Sequence, residues 1–151
     1  AYTPYYFDYK EKLLCIVSAM SLVKLLTVES QSNIDVFNLI GNLYSIFNID
    51  DWVKEYIFWE LKLLEIVGFN LQLNKIAKSE VINNEKKYFV GSNSEKKYVP
   101  NFLIDRDEKK LDKKTLSKAL KLVGDFLEKN VLKPNNISYP NSRLEFVNLF
   151  K

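Results

Sequence analysis

The sequence predicts a mainly α protein, a helical bundle of about five to six helices with a small irregular or β-hairpin insert near residues 76–105. Apolar residues recur at helical spacing through four long stretches, and only four glycines and four prolines interrupt the chain. The helical period is lost between residues 70 and 107, where turn residues cluster. At 151 residues and 47% apolar content, we expect a single helical domain spanning residues 1–151.

Two helices are predicted in the first third of the chain. The first begins near Asp8 and ends near Glu29, and it is apolar on most sides, so other elements should surround it. Ser32 and Asp35 have a capping-box-like spacing and open a second helix that ends near Phe47. The apolar residues of this second helix at helical spacing are Val36, Phe37, Ile40, Leu43, Tyr44 and Phe47.

A third helix, capped by Asp50 or Asp51 and ending at Val67, carries a carboxylate on its apolar stripe. This residue, Glu60, would cost several kcal/mol in a core unless it were paired or hydrogen-bonded. We therefore interpret Glu60 as a structural partner of a cation or of backbone amides. The stripe itself consists of Val53, Ile57, Leu64 and Val67.

Gly68 stands where the C-terminus of this helix needs a residue that tolerates left-handed backbone angles. Phe69 and Leu71 can fold back onto the last turn. We predict a structural role for Gly68 as the stop of an inner helix.

The second half begins with a predicted two-stranded hairpin of residues 87–90 and 97–99. Asp112 can cap a fourth long helix that ends near Val131, and Pro140 starts a last short helix. The residues of the fourth helix that should face inward are Leu116, Ala119, Leu120, Val123, Phe126 and Leu127.

Charge is distributed unevenly along the chain. Residues 1–74 carry five basic and nine acidic groups, whereas residues 75–151 carry seventeen basic and ten acidic groups. Such asymmetry favours a surface that faces a polyanion or an acidic partner, and the alternative is an ordinary solvated surface rich in lysine. One side of the fourth helix carries a basic row made of Lys110, Lys114, Lys118 and Lys121.

Composition argues against most enzyme classes. The chain has no histidine, which removes Ser-His and Cys-His catalysis and the commonest zinc ligand. Its one cysteine, Cys15, lies in an apolar stretch and is expected to be a buried thiol. The apolar run from Leu13 to Val28 is too short for a membrane span and contains Lys24. We expect a cytoplasmic protein without enzymatic activity, cofactor or metal; an enzyme based on lysine or carboxylate is the remote alternative.

Residues 59–73 carry the pattern W-E-L-x-L-L-x-x-V-G-F-x-x-x-L, which resembles a segment in the helical domain of the RecO family. The stretch V-P-N-F-L at 99–103 and the stretch P-N-S-R-L-E-F at 140–146 resemble two later signatures of the same family, in the same order. Many members have zinc-binding cysteines where Ile76 and Ser79 stand here, which implies that the zinc site is lost. The family begins with an OB-type β-barrel, and we expect none of the 151 residues to form it.

The resemblance implies a non-enzymatic mediator of DNA repair and recombination, located in the cytoplasm with the nucleoid. Such proteins bind single- and double-stranded DNA, anneal strands and help RecA to load. They also contact RecR and the acidic tail of single-strand-binding protein, whose terminal apolar residues enter a groove. The rival hypothesis is a generic helical protein-interaction module without a nucleic-acid role.

We select Lys114, Lys118 and Lys121 as candidate contacts for DNA phosphates or for the acidic tail. Arg143, one of two arginines, either pairs with Glu60 to fix the last helix against the third, or binds the same anionic ligands. An aromatic cluster near the start is expected to pack as the end of a linker, with base stacking as the alternative. Its members are Tyr2, Tyr5, Tyr6 and Phe7.

Overall fold

The computed structural model describes residues 2–27, 34–69, 71–92, 94–106 and 110–151, and the side chains from Tyr9 onwards. Within these residues the protein is mainly α, with a small antiparallel sheet inserted between the third long helix and the fourth, as predicted. The elements are α1 (Tyr2–Leu26), α2 (Ile34–Ile46), α3 (Trp52–Ile66), α4 (Leu73–Ile76), β1 (Lys78–Ile82), β2 (Glu85–Val90), β3 (Lys97–Val99), α5 (Lys113–Leu127) and α6 (Asn141–Asn148).

Helix α1 begins at Tyr2, so the predicted start near Asp8 is wrong. Proline is tolerated in the first turn of a helix, and Pro4 therefore does not delay the start. The aromatic side chains of residues 2–7 lie outside the described side chains. Helix α1 ends at Leu26, so the predicted end near Glu29 is about three residues too late. The predicted cap at Ser32 lies outside the described residues, which resume at Ile34, where α2 begins.

Helices α1 and α2 are each buried on one side. Cys15, Ala19 and Leu22 of α1 face the core, whereas Leu13 and Val17 are about half exposed. The prediction that other elements surround α1 is thus correct for one side of the helix only. In α2 the buried residues are Val36, Leu39 and Leu43, while Phe37 and Tyr44 point to solvent.

Helix α3 lies at the centre of the core. Nine of its fifteen residues are buried, and seven of these nine are aromatic or aliphatic. The indole Nε1 of Trp59 donates to the carbonyl of Leu39 at 2.8 Å, which fixes α3 against α2. The ring of Tyr56 meets the ring of Phe146 edge-on at 5.3 Å, which fixes α3 against α6. Asp51 occupies the N-cap position, but its side chain makes no capping hydrogen bond.

Gly68 ends this helix in the way the sequence predicts. Its φ is +95°, its N–H donates to the carbonyl of Glu65 at 3.1 Å, and the N–H of Phe69 donates to Leu64 at 2.7 Å. These two bonds are those of a Schellman motif, and the Phe69 side chain packs against the core next to the helix end.

The sheet has three strands in the order β1-β2-β3, one more than predicted. The missed strand β1 pairs with β2 from Lys78 opposite Phe89 to Ile82 opposite Glu85. Asn83 and Asn84, at φ of +51° and +65°, form the turn between them. Two consecutive positive φ angles define the tight hairpin turn that favours Asn and Gly. The pair Asn83-Asn84 in the sequence could therefore have predicted a hairpin, and with it the strand β1.

Helix α5 begins as predicted, with Asp112 Oδ1 accepting from the backbone N–H of Thr115 at 2.8 Å. After Leu127 the chain continues as a π-helical turn, Glu128–Leu132, and a 3₁₀ turn, Lys133–Asn135. This helical segment ends at Asn136, whose backbone is in the left-handed region. Helix α6 follows Pro140 and packs along α1 and α5. None of the helices in the described part of the chain combines the length and the apolar character of a bilayer span.

Candidate polyanion-binding site

The pairing of Glu60 with Arg143 suggested by the sequence is present in the structure. Arg143 Nε donates to Glu60 Oε2 at 3.0 Å, and Arg143 Nη2 donates to Glu60 Oε1 at 2.6 Å. This two-bond geometry is the strongest form of a carboxylate–guanidinium contact. Both residues are 1% exposed, so the pair is a buried bridge between α3 and α6.

Further polar groups complete this buried cluster. Tyr56 Oη donates to Glu60 Oε2 at 2.8 Å, and Arg143 Nη2 also donates to the carbonyl of Leu120 at 3.0 Å. Arg143 Nη1 donates to Tyr139 Oη at 2.5 Å. The cluster thereby joins α3, α5 and α6 through hydrogen bonds to both members of the ion pair.

Gly124 allows α5 to approach this cluster closely. A Cβ atom at this position would lie 2.6 Å from Arg143 Nη1 and 2.8 Å from Tyr139 Oη. Both atoms are held by their mutual hydrogen bond, so they cannot move away cheaply. The backbone of Gly124 has the ordinary helical conformation. Close packing, and not backbone conformation, therefore requires glycine at this position.

The electrostatics of the cluster favour the charged form of Arg143. Burial alone would lower the pKa of Arg143, but the adjacent Glu60 carboxylate outweighs that effect and the pKa is raised. Burial, followed by the charge of Glu60, raises the pKa of Tyr56 and the pKa of the Cys15 thiol. Cys15 is fully buried as expected, and a thiol in this environment has little thiolate to react.

The structure does not bring Arg143 together with the candidate lysines. Its guanidinium is buried and bonded to Glu60, Tyr139 and Leu120, so contact with a surface ligand would require breaking the bridge. Of the two roles considered for Arg143, the geometry favours the structural one, and we do not include this residue in the candidate site.

Lys114, Lys118 and Lys121 lie together on the exposed side of α5. Their spacing of four and three residues places them on one helix face, about 10.5 Å apart from first to last along the axis. Among the described residues none of the three forms an ion pair. We call these three residues the α5 lysine face. Lys110, just before the helix, is exposed as well.

A groove of about 920 Å³ lies beside this face, between the sheet and the start of α5. Lys118 belongs to both the groove and the α5 lysine face. Apolar groups form much of the lining: Tyr88, Val99, Pro100, Phe102 and Leu111. The cations at the groove are Lys86, Lys87, Lys110 and Lys118, and the acids are Glu85 and Asp112.

Hydrogen bonds hold the wall of the groove in place. Tyr88 Oη donates to Asp105 Oδ2 at 2.8 Å, and Asn101 Nδ2 donates to the carbonyl of Lys86 at 2.8 Å. Both bonds connect β2 to the short 3₁₀ turn Asn101–Leu103 and the residues after it. Outside the groove, a salt bridge between Lys97 of β3 and Asp125 of α5 connects the sheet to the helix. The groove is thus formed by segments that are far apart in sequence, and sequence reasoning missed Lys86 and Lys87.

A second, smaller cleft of about 310 Å³ lies at the C-terminal end of α3. Its lining includes Phe58 and Arg106, and the guanidinium of Arg106 stacks over the Phe58 ring at 4.3 Å from the ring centroid. None of the α5 lysine face residues lines this cleft. We therefore favour the larger groove as the site for an anionic ligand.

The residues at the positions of the family's zinc ligands do not fit a zinc ion. Ile76 ends α4 and Ser79 lies in β1, and neither offers a thiolate or imidazole. In the described ranges no cluster of three acidic or cysteine side chains could hold a metal ion.

Comparison with known proteins identifies the family. A family profile described as "Recombination protein O C terminal" matches residues 10–138. A DNA repair protein RecO from Rhodospirillum centenum is 22% identical over 154 residues, which cover 93% of this chain and 61% of the relative. One from Rickettsia canadensis is 33% identical over 94 residues, covering 62% of this chain and 38% of the relative.

A third relative, the DNA repair protein RecO of Bartonella henselae, is 27% identical over 107 residues, covering 62% of this chain and 41% of the relative. This chain therefore spans between about two fifths and three fifths of the length of these relatives. No solved structure matches it significantly. Since the profile of the C-terminal part of the family covers most of the chain, the chain belongs to the RecO family and corresponds to its C-terminal part.

Proposed function

We propose that this chain acts in DNA repair as a non-enzymatic binding protein, through the α5 lysine face and the groove beside it. The observation that carries the proposal is the position of three exposed lysines on one face of α5, which form no ion pair with any other described residue, next to a groove with an apolar lining. Membership of the RecO family supports repair as the setting. Strand annealing, RecA loading and contact with RecR are the parts of the proposal that rest on family membership alone.

DNA is the first proposed ligand. Lysine ammonium groups act as point charges for phosphates and carry no base preference, so binding should be independent of sequence. The α5 lysine face is about 10.5 Å long, so it can face about two to three neighbouring phosphates of one strand. Single-stranded DNA can make the same contacts, because its phosphates carry the same charge.

The acidic tail of single-strand-binding protein is the second proposed ligand. Such a peptide needs an apolar slot for its last residues and cations at the rim for its carboxylates. The groove offers both: Val99, Phe102 and Leu111 provide apolar lining, while Lys110 and Lys118 provide positive charge. Because Lys118 belongs to both surfaces, peptide and DNA should compete for part of the same area.

Fluorescence anisotropy with a labelled oligonucleotide tests the DNA part. The variant replaces Lys114, Lys118 and Lys121 together by glutamine, and the control replaces three other exposed lysines, Lys24, Lys129 and Lys133. Both proteins lose the same net charge. Log K decreases as log salt increases, and we expect this negative slope to become shallower in the variant. The expected change is about 2 to 3, at roughly 0.7 to 0.9 for each lost phosphate contact. Equal slopes in variant and control would refute the assignment of the face.

A second titration tests the peptide part. The probe is an acidic peptide that ends in an apolar aromatic residue, and its partner is the same peptide ending in alanine. We expect the alanine-ending peptide to bind at least tenfold more weakly than the peptide with the aromatic end. We also expect the aromatic-ending peptide to bind Lys118→Gln more weakly than the wild type, and to bind Lys133→Gln as tightly as the wild type. Equal binding of both peptides would argue for charge attraction alone. Failure of both DNA and peptide to bind would favour the generic interaction module instead.

A further inference from the structure

The smaller cleft at the C-terminal end of α3 holds a planar cation over an aromatic ring. The guanidinium carbon of Arg106 lies 4.3 Å from the centroid of the Phe58 ring, and both side chains line the cleft. The buried ring of Phe102 meets the Phe58 ring edge-on, with 5.9 Å between the centroids. A ring that packs against the core thus supports the guanidinium from one side. We call this pair the Phe58–Arg106 stack.

Arg106 remains accessible to a ligand. Its side chain is exposed, and within the described ranges no carboxylate forms an ion pair with it. A guanidinium is planar, so it can hold an aromatic ring against each of its two faces. Unpaired nucleobases are among the rings that stack on arginine in this way.

The shape of the cleft suits one planar ring system. Its volume is about 310 Å³, which lies at the lower end of the range for sites that bind small organic molecules. Four leucines supply the apolar lining: Leu61, Leu71, Leu73 and Leu103. Asn74 also lines the cleft, and its side-chain amide offers both a donor and an acceptor, as the edge of a nucleobase requires.

The cleft also carries an excess of positive charge. Glu65 is the one acidic residue in its described lining, and Lys62 Nζ lies 3.6 Å from that carboxylate. The other two cations, Lys75 and Arg106, form no ion pair with any described residue. A nucleobase in a strand is flanked by phosphates, so it brings the negative charge that this lining complements.

The turn Asn101–Leu103 contributes to both the cleft and the larger groove. Phe102 lines the groove, whereas the next residue, Leu103, lines the cleft. The two cavities are therefore neighbours on the surface. A strand whose phosphates contact Lys110 and Lys118 at the groove needs to extend by only a few nucleotides to reach the cleft.

We propose that this cleft binds one unpaired nucleobase, which stacks on the side of the Arg106 guanidinium that faces away from Phe58. Lys75 then lies near a flanking phosphate. The inference rests on the proposed function, in which DNA lies along the α5 lysine face. A base in a duplex is already paired and stacked, so it does not enter the cleft. The cleft thereby gives the chain a preference for single strands, which the α5 lysine face alone does not provide.

Competition binding with the wild-type chain tests whether bases contribute. Two unlabelled strands of equal length compete with a labelled single-stranded oligonucleotide: one of thymidylates, and one in which abasic sites replace the bases. The phosphates are the same in both strands. We expect the abasic strand to compete more weakly by at least about fivefold, the usual size for one stacked base. Equal competition would overturn the inference, whereas an intact salt dependence would still support the α5 lysine face.

Substitutions then locate the base. Arg106→Lys keeps the charge but removes the planar group, and Phe58→Leu removes the supporting ring. The matched control is Phe47→Leu, which removes another partly buried ring, next to Trp52. We expect single-strand affinity to fall by at least about fivefold in the first two variants and to stay unchanged in the control. Affinity for a hairpin duplex should stay unchanged in all three.

The remaining outcomes separate this inference from the proposed function. Equal losses for the single strand and the hairpin in Arg106→Lys would overturn the base pocket and leave DNA binding itself in place. If Arg106→Lys weakened the aromatic-ending acidic peptide but not single-stranded DNA, the cleft would be a peptide site and the inference would be wrong. The absence of any DNA binding by the wild type would overturn both. Arg106 is exposed, so its variant carries the test even if thermal unfolding shows that Phe58→Leu is unfolded.

Discussion

The buried bridge between Glu60 and Arg143 gives the most direct prediction about stability. Replacing Arg143 by methionine keeps the length of the side chain but removes the guanidinium, which leaves the carboxylate of Glu60 buried with Tyr56 as its remaining donor. The reverse change, Glu60→Leu, leaves the guanidinium buried without its carboxylate. The double variant Glu60→Leu/Arg143→Met removes both charges together.

The magnitude follows from burial. Both members are 1% exposed, and breaking one partner of a buried pair costs about 3–5 kcal/mol. For a chain of 151 residues this corresponds to a decrease in Tm of roughly 6–20 °C. The double variant should lie within about 2 kcal/mol of the wild type, because replacing a buried ion pair by apolar residues is often nearly neutral. The coupling energy of the pair should therefore exceed about 3 kcal/mol.

Urea unfolding of the four proteins, followed by circular dichroism, measures this cycle. The control is Lys62→Met, which breaks an exposed pair with Glu65 on the same helix and should change the free energy of unfolding by less than about 1 kcal/mol. A cost below about 1 kcal/mol for Arg143→Met, or a double variant as unstable as the sum of the two single variants, would refute the reasoning.

Three further substitutions test local features of the fold. Gly124→Ala should destabilise the protein by about 1–3 kcal/mol despite the higher helix propensity of alanine, because the new methyl group would press on Arg143 and Tyr139; urea midpoints measure this. Gly68→Ala should cost about 1–2 kcal/mol, because its φ of +95° is unfavourable for a residue with a Cβ, and an unchanged midpoint would contradict the Schellman assignment. The hydrogen bonds to Thr115 lower the pKa of Asp112, so the stability that this cap supplies is present above the ordinary carboxyl pKa and is lost as pH falls through the lower pKa of the folded state. Asp112→Asn keeps a capping side chain that does not titrate, and its urea midpoint should therefore fall less than that of the wild type between pH 5 and pH 3.

Periodicity predicted the long helices well because each has one continuous apolar side. The ends were less predictable: α1 starts at Tyr2, since Pro4 is compatible with a first turn. Strand β1 was missed because three of its five residues, K-S-E-V-I, are polar and the strand is largely exposed, so it lacks the alternation of a half-buried strand. The exposure of Phe37 and Tyr44 was also not predicted, because helical spacing alone does not distinguish a second apolar side from the core side.

The buried bridge was accessible to sequence reasoning, whereas the groove was not. A glutamate on an apolar stripe requires a partner, and arginine is scarce, so Arg143 was a natural candidate for Glu60. The groove is assembled from β2, the turn at Asn101–Leu103 and the start of α5, and no local pattern relates these segments. Of the predicted basic row, Lys110 and Lys118 line the groove, whereas Lys114 and Lys121 do not.

Amide chemical-shift mapping tests the central claim, that an acidic ligand occupies the groove beside the α5 lysine face. The ligand is the acidic peptide with an apolar C-terminal residue, titrated into the isotope-labelled chain. We predict that the largest shifts cluster at Val99–Phe102 and at Leu111–Lys118, and that they decrease in the Lys118→Gln variant. Shifts centred on the cleft at Phe58 and Arg106, or the absence of shifts at saturating peptide, would contradict the account.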